Sequence, residues 1–187
     1  MKRRIICKTP TLLTLSNMFL GLLVIFHMIN TVSERDRRLA CLLILLAAFF
    51  DAVDGTIARR LDAVSALGKE LDSFADLISF GVAPLTIYCN INTWSLSPIS
   101  FLIFALFPVA GAFRLARYNL GEYSHHFEGL PIPAAGVTLV LSYLALSFLK
   151  IEFTHLLVHC IRVLILLLSI FMVSRIRVRR LGSRKKV

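Results

Sequence analysis

The sequence predicts an all-α polytopic membrane protein, a bundle of about six transmembrane helices in a single domain over residues 1–187. Three observations predict this fold class. First, 57% of the residues are hydrophobic and the mean hydropathy is +0.78, more apolar surface than a soluble domain of this length can bury. Second, the apolar residues form long runs separated by short polar segments. Third, the net charge of +10 gathers at the termini and between the runs, as in membrane-protein loops.

The first predicted span covers about Leu12–Ile29. The basic residues before it resemble the start of a signal peptide, but no small-residue cleavage site follows, so we expect an uncleaved helix. Thr14 and Asn17 lie near the start of this span. They can serve either in helix capping and packing or in lining a site, and the sequence leaves both possibilities open.

The second span begins near Leu39, after a short polar loop predicted at Asn30–Arg38. A crossing helix needs about 20 residues, so this span must carry Asp51 and Asp54 in its last turns. Ionisable groups within a span usually face the bundle interior or a watery cavity and indicate function.

A polar turn predicted at Arg59–Lys69 leads into the third span, about Leu71–Asn90. That span begins with Asp72 and Asp76, so both aspartate pairs are expected at the same membrane face.

The last three spans are predicted at about Pro98–Tyr118, from Gly129 to about Leu149, and at about Phe153–Ser174. Arg114 and Arg117 end the fourth span one helical turn apart, on the side of the aspartates. From position alone, anchoring at the membrane surface and substrate binding are about equally supported. A basic tail is expected at about 175–187.

The distribution of Lys and Arg predicts the orientation. One side of the predicted bundle holds sixteen of them, which lie at the two termini, in the aspartate turn and at Arg114 and Arg117. The other side holds four, at Arg35, Arg37, Arg38 and Lys150, and Arg162, within the sixth predicted span, is assigned to neither side. Because positive residues favour the cytoplasmic side, we expect a multi-pass protein of the cell membrane with both termini and the aspartates facing the cytoplasm. This distribution fits a bilayer partner rather than nucleic acid.

The four aspartates form two pairs with helical spacing. Asp51 and Asp54 are separated by three positions, and Asp72 and Asp76 by four, so each pair shares one helix face.

Two unit charges about 4 Å apart repel by roughly 4 kcal/mol at an effective dielectric of 20. Two divalent cations would balance four carboxylates, and hard oxygen ligands favour Mg²⁺, Mn²⁺ or Ca²⁺ over Zn²⁺. Capping helices or pairing with basic residues is the alternative, and it suits a lone aspartate better than four at these spacings.

Eight residues of this stretch follow one pattern, D-x2-D-G-x2-A-R-x8-G-x3-D-x3-D, without a gap. They are Asp51, Asp54, Gly55, Ala58, Arg59, Gly68, Asp72 and Asp76. By this pattern the chain resembles the CDP-alcohol phosphotransferases, membrane enzymes that transfer a phosphate-linked group from a CDP-alcohol to an acceptor alcohol and release CMP.

The resemblance implies roles for these residues. Two divalent cations, Mg²⁺ or Mn²⁺, would be ligated by Asp51, Asp54, Asp72 and Asp76. Asp76 would also be the base that deprotonates the acceptor. The cytidine-diphosphate pocket would be lined by Gly55, Ala58, Arg59 and Gly68. The resemblance also implies a homodimer.

Three further segments resemble one branch of the family, the integral-membrane phosphatidylserine synthases. They are Lys69–Pro84, Phe113–Asn119 and Gly129–Pro133. This resemblance implies CDP-diacylglycerol and L-serine as substrates and phosphatidylserine and CMP as products. Arg114, Arg117 and Asn17 then become candidates for substrate binding, the arginines for the serine carboxylate or a lipid phosphate.

Other functions stay open at this point. The acceptor alcohol can be glycerol phosphate or inositol phosphate, although such anionic acceptors would call for more cationic residues near the site. The lipid can be an archaeal ether lipid. Outside the enzymes, aspartates within a membrane can form the path of a small cation or proton carrier, but acids would then be expected towards the opposite face too.

Overall fold

The computed structural model describes residues 9–30, 33–60, 66–89, 91, 98–120, 127–174 and 177–178. These residues form six helical rods, which confirms the predicted all-α bundle. The rods are α1 (Thr9–Asn30), α2 (Glu34–Arg60), a composite of α3 (Ala66–Asp76), a π-helical segment (Leu77–Val82) and α4 (Ala83–Cys89), then α5 (Pro98–Asn119), α6 (Ile132–Phe148) and α7 (His155–Val173).

Four of the helices are long and apolar enough to cross a membrane, at Thr11–Asn30, Glu34–Thr56, Pro98–Asn119 and His155–Val173. Many large apolar side chains on them are exposed, including Phe19, Phe49 and Ile170. Such a surface is too apolar for water and suits lipid. The chain is therefore a multi-pass membrane protein. The α6 helix is apolar but shorter, and the third rod is divided by its π-helical segment.

Helix α2 is longer than the sequence predicted. The polar residues Glu34–Arg38, expected in a loop, form its first turn, and Arg59 and Arg60, expected in a turn, end it. Two features favour the early start: the Arg35 amide donates to Ser33 Oγ at 3.2 Å, and acidic residues occupy the positive amino-terminal end of the helix. With 27 residues, α2 is about 40 Å long, and Asp51 and Asp54 lie within its last ten residues.

Helices α1 and α2 pack against each other along most of their length. On α1 the buried residues recur every three or four positions: Thr14, Asn17, Gly21, Val24 and Met28. This spacing places them on one face. The polar members of the face lie at the end nearest the aspartates of α2, so α1 combines an apolar seam with a polar end beside the acids.

The third rod changes its hydrogen-bonding pattern directly after Asp76. In the π-helical segment the Ala83 amide donates to Ile78 O, five residues back. Pro84 follows and cannot donate to the carbonyl of Phe80, so the wider turn accommodates a proline inside the rod. Helix α6 approaches here: a Cβ on Gly136 would lie 2.5 Å from Phe80 O and 2.8 Å from its Cα. Only a glycine allows the two backbones to come this close.

The segment before α6 is fixed to the end of α7. Phe127–Glu128 (β1) pairs with Arg177–Val178 (β2) as a short antiparallel ladder, and the Leu130 amide donates to Phe171 O at 3.1 Å. Between them Gly129 has φ of +76°, a backbone conformation that favours glycine. Apart from Arg177 and Val178, the predicted basic tail at 175–187 lies outside the described residues.

At the end of the bundle away from the aspartates, a network of side-chain hydrogen bonds joins α2 to α6. Arg38 Nε donates to Ser147 Oγ at 2.7 Å, and Ser147 Oγ donates to Glu34 Oε1 at 2.7 Å. Beside them Arg37 Nε donates to the Tyr143 hydroxyl at 2.9 Å. These bonds join the start of α2 to the end of α6. They also explain why residues of a predicted loop are ordered within a helix.

Candidate active site

Two helices bring three of the predicted aspartates together. One carboxylate oxygen from each of Asp51, Asp72 and Asp76 lies within 4.8 Å of the other two. Asp51 projects from α2, and Asp72 and Asp76 project from one face of α3, as their four-residue spacing predicts. The convergence of both helices at one end of the bundle was predicted from the sequence, and the structure has it.

Asp54 is also buried, with 3% of its surface exposed, but it is not in this group of three. Its Oδ2 accepts a hydrogen bond from Thr14 Oγ1 at 2.8 Å. The carboxylate still lies close enough to Asp72 and Asp76 for their charges to repel one another. The four acids thus form a cluster of three with a fourth member held beside it by α1.

The three clustered carboxylates suit a hard cation. Asp72 Oδ1 and Asp76 Oδ1 are buried, and neither has a hydrogen-bond partner among the described residues. Buried oxygens without partners are costly, and several carboxylates so close together repel one another. A divalent cation with a preference for oxygen ligands would satisfy both demands. The residues present therefore fit the metal site that their pattern predicts.

The four residues predicted to line a nucleotide pocket flank the aspartates. Gly55 follows Asp54 directly in α2, and Gly68 lies in the first turn of α3. Ala58 and Arg59 belong to the last turn of α2, and their side chains lie outside the described part of the structure. Their predicted contacts with a cytidine diphosphate stay predictions.

The two arginines of α5 differ in their surroundings. Arg114 is buried, with 8% exposed, its charge acts on Asp76, and its Nε has no hydrogen-bond partner among the described residues. Arg117 is less buried; its Nη1 donates to Val173 O at 3.3 Å, and its guanidinium lies over the Phe113 ring. Arg114 is therefore the arginine beside the acids, and Arg117 connects α5 to the end of α7.

Asn17 is fully buried on α1, one turn after Thr14. Neither its amide nitrogen nor its amide oxygen has a hydrogen-bond partner among the described residues. Its backbone carbonyl accepts a bond from Ser79 Oγ at 2.9 Å. A buried amide with unsatisfied donors and an unsatisfied acceptor is rare in a purely structural position.

Three polar contacts of the site were not predicted from the sequence. The Thr14–Asp54 bond joins residues 40 positions apart, and Ser79 bonds across to α1. Asn119 Nδ2 donates to Ser73 Oγ at 2.9 Å, which joins the end of α5 to α3. The spacing of Thr14, Asn17 and Gly21 was a signal for the first two, because polar or small residues sharing one face of a span indicate a buried interface.

Comparison with known proteins finds relatives in one family of enzymes. The family model for CDP-alcohol phosphatidyltransferases matches residues 7–174. A CDP-diacylglycerol–serine O-phosphatidyltransferase of Helicobacter pylori is 37% identical over 174 residues, 90% of this chain and 70% of the relative. One of Bacillus subtilis is 36% identical over 164 residues, 78% of this chain and 89% of the relative.

An archaeal protein is similar as well. The archaetidylserine synthase of Methanothermobacter thermautotrophicus is 38% identical over 138 residues, 72% of this chain and 57% of the relative. The match of the family model over nearly the whole chain, together with the converging aspartates of α2 and α3, leads to one conclusion. The chain belongs to the CDP-alcohol phosphatidyltransferase family.

Proposed function

We propose that this protein transfers the phosphatidyl group of CDP-diacylglycerol to the hydroxyl of L-serine, giving phosphatidylserine and CMP. The observation that carries the proposal is the convergence of Asp51, Asp72 and Asp76 in a chain whose relatives are named for this reaction. The family membership also favours an enzyme over the cation carrier considered from the sequence.

The carboxylates of Asp51, Asp54, Asp72 and Asp76 would hold two divalent cations, Mg²⁺ or Mn²⁺. When bound, such cations supply positive charge that neutralises the pyrophosphate and the charge developing on its oxygens. The four carboxylates have a formal charge that two dications balance. The Oδ1 atoms of Asp72 and Asp76, which are buried and have no hydrogen-bond partner in the described part of the chain, support this assignment.

In the proposed reaction the serine hydroxyl oxygen attacks the phosphorus atom that carries the diacylglycerol. The bond from that phosphorus to the bridging oxygen breaks, and CMP leaves with the bond's electron pair. The hydroxyl proton passes to Asp76, the most buried of the three clustered carboxylates. Asp76 is the proposed base because it lies within the cluster at the buried end of the acidic face, where water has little access.

Substrate binding is assigned to residues around the cluster. Arg114 is the proposed partner of the serine carboxylate. Its Nε has no hydrogen-bond partner among the residues that the structure describes, and its planar guanidinium suits a carboxylate. Asn17 is the proposed partner of another polar group of the bound substrates, and Arg117 stays a candidate for a lipid phosphate. The cytidine diphosphate would bind in a pocket lined by Gly55, Ala58, Arg59 and Gly68.

We further propose that the protein lies in the cell membrane with both termini and the aspartates facing the cytoplasm. The charge distribution along the chain supports this orientation. The soluble acceptor serine would then reach the site from the cytoplasm. The homodimer implied by the family resemblance is part of the same proposal.

A second lipid substrate deserves a test because one similar protein is named archaetidylserine synthase. In that case the acceptor would stay serine, and the diacylglycerol would be replaced by an ether-linked lipid. The transfer chemistry at the phosphorus would be the same.

The purified protein should be assayed for CMP release with CDP-diacylglycerol and Mn²⁺, and with L-serine, glycerol 3-phosphate or inositol phosphate as acceptor. We expect CMP and phosphatidylserine in equal amounts with serine. Faster CMP release with another acceptor would overturn the assignment of serine. A parallel assay with an ether-linked CDP-lipid decides which lipid is preferred.

A further inference from the structure

Helix α1 contacts both helices that carry the aspartates. Towards α2, Thr14 Oγ1 donates to Asp54 Oδ2 at 2.8 Å. Towards the third rod, the carbonyl of Asn17 accepts from Ser79 Oγ at 2.9 Å. One turn further, a Cβ on Gly21 would lie 2.8 Å from Ser79 Cα. These contacts follow one another along a single face of α1, so the helix is held at a fixed distance from the acids.

The hydroxyl of Thr14 is consequently a well-fixed hydrogen-bond donor. Thr14 is 5% exposed and Asp54 is 3% exposed, so water has little access to the bond between them. A threonine in a helix has few χ1 rotamers, and the contacts of Asn17 and Gly21 with Ser79 hold the same face of α1 against the third rod. The bond therefore restricts the orientation of the Asp54 carboxylate plane.

We propose that Thr14 is a positioning residue for Asp54. Its hydroxyl sets the orientation in which that carboxylate joins Asp51, Asp72 and Asp76 in holding divalent cations. The inference rests on the proposed function, because it assumes that the four carboxylates bind metal. It adds a residue outside the eight-residue pattern, contributed by a helix that carries none of the acids. In metal sites, the loss of a group that orients a ligand typically weakens metal binding or activity by 10- to 100-fold.

The test compares Thr14→Val, which removes the hydroxyl at nearly constant volume, with Thr14→Ser, which keeps it. Thr138→Val is the matched control, because Thr138 is exposed and its hydroxyl donates to Ala134 O in its own helix at 2.8 Å. Two quantities are measured for each purified variant. One is the Mn²⁺ concentration that half-saturates the rise in unfolding temperature without substrates, and the other is the Mn²⁺ concentration for half-maximal CMP release.

We expect both concentrations to rise about 10- to 100-fold in Thr14→Val and to stay close to those of the unmodified protein in Thr14→Ser and Thr138→Val. An unchanged Mn²⁺ dependence in Thr14→Val would overturn the inference. So would equal impairment in Thr14→Ser, since the hydroxyl would then not be the group that matters.

Two further outcomes are decisive. If Thr14→Val does not fold, Thr14→Ala is measured instead with the same expectation. Failure of both to fold beside a folded Thr14→Ser would assign Thr14 to stability and overturn the positioning role. If the unmodified protein shows neither stabilisation nor activity with Mn²⁺, the proposed metal site itself fails, which is distinguishable from a failure at Thr14.

Discussion

The surroundings of Asp76 combine burial, two neighbouring acids and one arginine. Asp76 is 8% exposed, it is grouped with Asp51 and Asp72, and the positive charge of Arg114 acts on it. The charges of Asp51 and Asp72 repel its carboxylate, whereas the charge of Arg114 attracts it. One arginine cannot offset several acids, so the cluster needs additional positive charge. This imbalance is the physical basis for expecting bound cations.

The first prediction concerns the acids themselves. Asp51→Asn, Asp54→Asn and Asp72→Asn should each abolish CMP release, because an amide removes the negative charge that holds a cation. Losing about 4 kcal/mol of transition-state stabilisation corresponds to a rate roughly 1000-fold lower. CMP release is measured across a Mn²⁺ titration, and full activity in a chelator would contradict the metal requirement. The control is Glu152→Gln, which changes an exposed acid and should leave the rate unchanged.

The second prediction concerns Arg114. Arg114→Lys keeps the charge but loses the planar fork of donors, and a hydrogen bond to a charged group contributes roughly 1.5–3 kcal/mol. We expect the KM for serine to rise about tenfold or more, while the KM for CDP-diacylglycerol changes little.

Arg117→Lys is the matched comparison, because Arg117 already donates to Val173 O. A change in the lipid KM in either variant would assign that arginine to a lipid phosphate. If neither KM changes in either variant, both arginines have structural roles and the serine-binding assignment is wrong.

At this scale the sequence predicted the acids well and their partners poorly. The helical spacing within each aspartate pair implies that its two side chains share one helix face. Because the two pairs belong to consecutive spans, the two faces are expected to meet. By contrast, the bond between Thr14 and Asp54 depends on how α1 is rotated about its axis. Periodicity restricts that rotation to a broad face without fixing which hydroxyl reaches which carboxylate. The unpaired amide of Asn17 is likewise visible only once its neighbours are placed.

Among the elements, the third rod has the least regular structure. Its α3 part carries Asp72 and Asp76, and its π-helical segment begins at the next residue, Leu77. The segment is enclosed from two sides, by Gly21 of α1 and Gly136 of α6. A π-turn inside a helix is often found at a functional site. Here it lets the rod pass Pro84 while the two aspartates stay on one regular helical face.

The third prediction tests this enclosure. In Gly136→Ala the new methyl group would lie 2.5 Å from Phe80 O, so α6 or the π-helical segment must move. Overpacking of this kind costs about 1–3 kcal/mol, and we expect a lower unfolding temperature in detergent. Ala145→Val on the exposed side of α6 is the control and should change stability by less than about 0.5 kcal/mol. Equal stability of both variants would show that the helices separate at little cost.

The sequence predicted the number and order of the rods but not the irregularity within the third. Long apolar runs specify spans because each must cross the same hydrocarbon thickness. Pro84 indicates a disturbance, yet a kink, a break and a π-turn all remain compatible with a proline. Which of the three occurs is visible only in the structure, where Ala83 bonds to the carbonyl five residues back and Gly136 packs closely against Phe80. The early start of α2 was missed for a related reason: Arg37 and Arg38 look like loop residues until Tyr143 and Ser147 are placed beside them.

For the whole molecule, the two ends of the bundle differ in chemistry. One end has the acids with Arg114, and the other has the network of Glu34, Arg38 and Ser147. At the first end, several buried polar atoms have no hydrogen-bond partner within the described residues. At the second end, hydrogen bonds join the charged side chains. We therefore expect charged ligands to bind at the first end, whereas the hydrogen bonds of the second end join α2 to α6.

The fourth prediction places these ends relative to the membrane. In a cysteine-free background, single cysteines at Ser65 and Ser183 should be inaccessible to an impermeant thiol reagent in intact spheroplasts. Both positions lie outside the described residues, and both belong to the side with more basic residues. Ser33→Cys, exposed before α2, should react from outside and is the positive control. Labelling of position 65 or 183 from outside would reverse the proposed orientation.

The order of the helices along the chain also matters for biosynthesis. All four aspartates of the site precede the π-helical segment in the chain. Arg114, which lies beside the acids, belongs to α5, and Gly136, which packs against the π-helical segment, belongs to α6. Because the ribosome makes the chain from its amino terminus, the acidic helices leave the ribosome before the arginine that compensates them has been translated. Nascent chains therefore pass through a stage in which the four carboxylates have no Arg114 beside them, and we expect divalent cations to matter most for the protein at that stage.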